Sequence, residues 1–149
     1  MSEGSGAHRI LDVDPLHAKQ PFMWTPLVSA LNTLHRLELA LVFGSVARGE
    51  AGASSDLDIA VRYGRALNAE DKLSLIRALG AASGRPIDLI DMRTAGPVVM
   101  REALVSGVQI FGSRDAFATQ TSRTLIDCAD YAPLVERVQR ERRDAWMHL

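Results

Sequence analysis

Residues 43–61 read FGSVARGEAGASSDLDIAV: a glycine-serine pair, then an alternating pair of aspartates, set between two apolar runs. The first run, Leu37 to Phe43, ends at Gly44-Ser45, and ten residues after Ser45 come Asp56 and Asp58, which open the second run, Leu57 to Val61. Short apolar runs bounded by Gly, Ser and Asp predict two strands. A short helix from Ser45, carrying Val46, Ala47 and Arg48, and a loop over residues 49–55 join them. In a strand, residues i and i+2 share a face about 6.6 Å apart, so the carboxylates of Asp56 and Asp58 are expected to project together.

Two neighbouring carboxylates disfavour each other's ionisation unless a positive charge lies between them. Magnesium meets that need, since it takes oxygen ligands and is commonly held by one or two carboxylates plus the phosphates of a substrate. Gly44 lets backbone approach a phosphate closely, and a helix that starts beside it offers unpaired N–H groups. The combination suits a nucleoside triphosphate with its metal.

The pattern Gly44-Ser45, ten residues, Asp56-x-Asp58 resembles the signature of the DNA polymerase β-like nucleotidyltransferase superfamily. Its filling, Ala47-Arg48-Gly49 and then Ser55-Asp56-Leu57-Asp58, is similar to the minimal nucleotidyltransferase branch, the MntA-like antitoxins paired with HEPN-domain toxins. The resemblance implies an α/β (α+β) fold with a small mixed sheet, two Mg2+ ions and ATP as substrate. Asp56 and Asp58 would bridge both ions. Gly44 and Ser45 would hold the β- and γ-phosphates, and Arg48 either touches a phosphate or braces its loop through Glu50 or Asp56. A third run, Pro86 to Met92, predicts a strand in which alternation sets Asp88 and Ile90 opposite Ile87, Leu89 and Asp91, so only one of its two aspartates can share the site. The superfamily carries its third carboxylate in an apolar context that Asp88 matches; Asp88 would ligate metal and serve as base, while Asp91 is expected to cap the next helix and to tolerate removal.

At 149 residues the chain is expected to form one domain, burying roughly 70% of its unfolded surface. A formal charge of -1 argues against a dedicated nucleic-acid binder. The single Cys128 rules out an internal disulfide and fits a reducing, cytoplasmic compartment. No stretch reads as a membrane span or secretory signal.

Residues 1–20 lack periodicity and read as a flexible N-terminal arm, whose His8 and His17 are not expected to bind metal; residues 21–149 form the domain. Thr25-Pro26 predicts the N-cap and first residue of a helix with Leu27, Ala30, Leu31 and Leu34 in phase. Asn68 and Gly84 bracket a second helix through Leu73, Ile76 and Leu79, with Lys72 as a solvated charge. A third helix runs from about Pro97 to Ser106, and a short strand, Val108 to Phe111, closes the sheet. From Ser113 on the chain reads as helical, with an apolar stripe of Leu125, Cys128, Ala129, Ala132, Val135 and Val138, a kink or restart at Pro133, and a solvated tail around Arg137, Arg140, Arg142 and Arg143.

The function expected from this resemblance is an antitoxin that transfers AMP from ATP to a hydroxyl, a tyrosine, of a HEPN toxin. Two others compete with it: a nucleotidyltransferase acting on a small molecule such as an aminoglycoside, and a non-catalytic antitoxin that works by occlusion. Small-molecule enzymes of the superfamily generally add a helical domain over the acceptor, for which this chain has little room. An intact carboxylate set is costly to keep without metal, which disfavours pure occlusion.

Overall fold

The structure is a computed structural model and describes residues 24–147; the expected arm, with His8 and His17, lies outside the described residues. Along the chain come α1 (Thr25–Asn32), β1 (Leu37–Phe43), α2 (Gly44–Arg48), β2 (Leu57–Tyr63), α3 (Ala69–Ser83), β3 (Ile87–Asp91), α4 (Pro97–Ser106), β4 (Val108–Gly112) and α5 (Arg114–Met147). The strands form one mixed sheet in the order β3-β2-β1-β4, with β1 antiparallel to both neighbours and β2 parallel to β3. This is the α/β class expected, with a mixed sheet.

Helices cover both faces of the sheet, which is why the central strand is apolar without alternation from Leu39 to Phe43. Ala40, Val42, Ile59 and Val61 pack beneath Leu27 and Leu31 of α1 and Leu75 and Leu79 of α3. On the opposite face Leu39, Leu41, Phe43 and Ala60 meet Met100 and Ala103 of α4, with Phe117 of α5 against them. No described helix is long and apolar enough to cross a membrane.

Local chemistry sets most helix ends. The Asn68 side chain accepts from the N–H of Asp71 at 2.8 Å while the Asp71 carboxylate accepts from the N–H of Asn68 at 3.1 Å, and Gly84, at φ 66°, ends α3 in the left-handed conformation. Four expectations are corrected. Thr25 is the first residue of α1 rather than its cap; the preceding position is Trp24, 6% exposed, so the helix starts where burying the indole places it. Leu73 and Ile76 of α3 are exposed, and the buried seam is Leu75 with Leu79, one helical turn apart.

The third correction concerns α5. It runs unbroken through Pro133, with no restart, and Leu125 and Val138 of the expected stripe are 65% and 40% exposed. Its buried contacts instead come early, through Gln120 and Thr124. A helix of 34 residues is about 51 Å long at 1.5 Å per residue, far longer than the sheet beneath it, so only its first half finds something to cover. The expected solvated tail, Arg137, Arg140, Arg142 and Arg143, is exposed.

Asp91 is not a helix cap, because Gly96 takes that position before α4. It is 5% exposed, and its carboxylate accepts from the N–H of Leu67 at 2.8 Å and of Arg93 at 2.9 Å. It thereby staples the loop before α3 to the turn after β3. Asp91→Ala is therefore expected to destabilise the fold by about 1–3 kcal/mol, because it leaves the buried Leu67 N–H without an acceptor. Denaturant midpoints of wild type, Asp91→Ala and Asp91→Asn check this; a midpoint unmoved in the alanine variant would refute the staple.

Candidate active site

The site is built where three strands present their ends to one place. In register, Phe43 of β1 faces Asp58 of β2, and Asp58 faces Asp88 of β3. Strand alternation sends Leu57 and Ile59 into the core under α1 and α3, so Asp58 turns to the α4 side. Asp88 shares that side because a parallel pair in register keeps the same alternation. Asp56 sits one residue outside β2 and is exposed.

Gly44 supplies the wall opposite. It has φ 70°, and a Cβ built on it would stand 2.2 Å from Oδ2 of Asp58. No side chain fits there while the carboxylate keeps its place, so glycine is required both by conformation and by closeness of approach. Ser45 follows, half-buried in the first turn of α2. Arg48 leaves α2 toward Glu50, 2.9 Å away, and toward Glu102 of α4 at 4.0 Å, so in this arrangement it braces its loop.

The electrostatics are unfavourable without a cation. Burial, and then the charges of Asp88, Asp56 and Glu102 together with a hydrogen-bonding contact to Asp88, push the Asp58 carboxyl above its ordinary value of 3.8. Glu102 escaped the sequence reading. It is an unremarked acid in a helix until the fold brings α4 over the ends of β1 and β2, and no local pattern signals it.

These donors suit a hard divalent cation: they are carboxylates, with no His or Cys among them, and they meet beside a glycine that leaves room for a phosphate. Among the described residues no group of three or more acids, histidines or cysteines is gathered closely enough to hold a metal ion on its own. An open set of this kind fits an ion that completes its shell from substrate oxygens. Loaded with such an ion, the arrangement would neutralise a polyphosphate, and a carboxylate can accept a proton from a hydroxyl.

The raised Asp58 value fixes a pH dependence. Between 3.8 and the folded value the native chain holds more protons than the unfolded one, so stability contributed by protonated Asp58 is full below 3.8 and is lost as pH rises through the folded value. In chelator, Asp58→Asn is expected to flatten that slope and to melt above wild type at neutral pH. Parallel melting profiles for the two proteins from acid to neutral pH would contradict the burial and repulsion described.

Residues 26–116 match the family described as Polymerase beta, Nucleotidyltransferase, a span that contains Gly44, Asp56, Asp58, Asp88 and Glu102. The protein adenylyltransferase MntA of Shewanella oneidensis is 30% identical over 93 residues, which make up 60% of this chain and 67% of that protein. A solved toxin-antitoxin structure with AMP-PNP superposes with a TM-score of 0.68 at 25% identity, over 81% of this chain and 96% of the other. A structure of tri-AMPylated Shewanella oneidensis HEPN toxin in complex with MNT antitoxin shares the fold, with a TM-score of 0.62 at 22% identity over 83% of this chain and 95% of the other. A match across most of the described chain, spanning the two strands that carry Asp58 and Asp88, places this protein in the polymerase beta nucleotidyltransferase family.

Proposed function

We propose that this chain is a protein adenylyltransferase that acts as an antitoxin, transferring AMP from ATP to a tyrosine hydroxyl of a HEPN-domain toxin in the cytoplasm. The observation that carries the reading is the Asp58-Asp88 pair closed against Gly44. Support comes from the similarity to the adenylyltransferase MntA and to a toxin-antitoxin structure with AMP-PNP.

In this mechanism Asp56 and Asp58 would hold two magnesium ions, and Asp88 would join them on one. Bound there, magnesium supplies charge neutralisation for the triphosphate and the departing pyrophosphate. Gly44 and Ser45 receive the β- and γ-phosphates through backbone and hydroxyl donors, which fixes the α-phosphorus in line with the acceptor. Asp88, the exposed member of the pair, stands on the open side and takes the proton of the incoming hydroxyl. The hydroxyl oxygen bonds to the α-phosphorus, the bond from that phosphorus to the bridging oxygen breaks, and pyrophosphate leaves with its electron pair. Arg48 is free to exchange its exposed partner Glu50 for a phosphate at little cost, because surface ion pairs contribute little.

The attached AMP places a bulky anion on the toxin. Near a nuclease centre it would repel the phosphate backbone of RNA and block its path.

Mass spectrometry of the co-expressed pair tests this reading. AMP is expected on the partner with wild type and none with Asp56→Asn or Asp58→Asn. In parallel, ATP with magnesium is expected to raise the melting temperature of wild type far more than either alone, by roughly 2.7 kcal/mol of added stability at a hundredfold excess over Kd. A partner left unmodified yet neutralised by the inactive variants would replace transfer with occlusion; AMP found only on small molecules would replace the protein acceptor.

A further inference from the structure

The turn that delivers Asp56 and Asp58 is held from outside by one residue. Gly52 and Ser55 close a small turn through the N–H of Gly52 on Ser55 Oγ at 3.0 Å and the N–H of Ser55 on the Gly52 carbonyl at 3.3 Å. Those two residues' carbonyls both accept from Nη1 of Arg85, at 2.8 Å for Gly52 and 3.0 Å for Ser55. One guanidinium nitrogen carries two N–H groups, so a single atom satisfies both carbonyls. Arg85 is the only side chain outside the turn that bonds it, among the described residues.

Its place in the chain gives that contact its effect. Arg85 lies two residues before β3 and three before Asp88. The next residue, Pro86, accepts from the N–H of Leu57 at 2.8 Å through its carbonyl. The N–H of Arg85 is tied back to Ser83 Oγ at 3.2 Å, which holds the side chain's base against the end of α3. The segment 85–86 therefore stitches the turn to the start of β3 at two points and the first residue of β2 at a third. Among the described residues Asp56, outside the sheet ladder, has no other tie of this kind.

We infer that Arg85 is a positioning residue for nucleotidyl transfer: by clamping the Gly52 and Ser55 carbonyls it sets the carboxylate of Asp56, and the start of the strand bearing Asp58, relative to Asp88. This rests on the adenylyltransferase reading above. Arg85 touches neither phosphate nor acceptor; it acts through the backbone. Without it the turn remains a turn, but it is held to β3 only from its far end, through the Leu57–Pro86 hydrogen bond and the β2-β3 ladder, and errors of about 1 Å in such a constellation cost up to about a hundredfold in rate.

The test compares full-length wild type, Arg85→Met and Arg85→Lys. Methionine keeps an apolar stem and removes the donors, whereas lysine keeps an ammonium able to serve both carbonyls. Amide hydrogen exchange, read without any activity, is expected to rise at residues 52–57 in Arg85→Met, with α1 and β1 unchanged. In transfer assays on the copurified partner, kcat is expected to fall roughly 10- to 100-fold. The magnesium concentration for half-maximal rate should rise, KM for the partner should hold, and Arg85→Lys should recover most of the rate. Unchanged exchange in Arg85→Met would overturn the clamp. Faster exchange with wild-type kcat and magnesium dependence would overturn the positioning role and leave a purely structural contact. Should wild type transfer no AMP, the adenylyltransferase reading fails instead. The clamp is then decided by exchange and by whether Arg85→Met loses the stabilisation that ATP with magnesium gives wild type.

Discussion

Two carboxylates are brought face to face by the register of β2 on β3, and a third stands just outside the strand. Like charges so placed repel, and burial of Asp58 adds to the cost. Much of the remaining architecture makes sense as a restraint that keeps that repulsion from spreading the strands. β2 cannot move toward β1, because Gly44 already touches the Asp58 carboxylate. It cannot peel from the sheet, because Leu57, Ile59 and Val61 lock it into the core beneath α1 and α3. The protein holds a costly charge arrangement at its surface by spending core packing directly behind it.

The same logic runs along the sheet toward its other end. Glu38 of β1 receives Arg62 of β2 at 2.9 Å and Arg93, beyond β3, at 3.2 Å. Arg93 Nε also donates to the Tyr63 carbonyl. Here opposite charges draw three segments together, whereas at the active end like charges push two strands apart. Asp91 completes this far end by binding the Leu67 and Arg93 N–H groups. Two aspartates three residues apart on β3 therefore serve different ends: Asp88 faces the cluster, and Asp91 serves the fold.

How much the sequence reveals depends on how local the cause is. β1 and α4 have the limits that Gly44, Pro97 and Gly107 announce, and the ends of α3 are written in Asn68 and Gly84. The strand pair bearing Asp58 and Asp88 is legible because period-two alternation is a property of each strand alone. Causes that lie across the fold are not legible. Leu73 and Leu75 both fit a helical period, and only packing against α1 and the sheet selects Leu75. Glu102 and Arg85 become site neighbours through loops and helices that return them from tens of residues away. The α5 stripe fails as a core element because a hydrophobic period says that a face can be buried, not that a surface exists to receive it.

The central position of β1 has a consequence for how the chain comes into being. Its partner on one side, β2, follows after α2 and one loop, but its partner on the other side, β4, is made only after α3, β3 and α4 as well. On the ribosome, β1 therefore waits with one edge of N–H and C=O groups open until Val108–Gly112 emerges. Pairings of such long sequence separation form late and slowly, and an open apolar edge is a template for wrong partners in the interval. The parallel β2-β3 pair, and with it the acid cluster, can form before β4 arrives, so during synthesis the site's strands can be assembled before the sheet that buttresses them is closed.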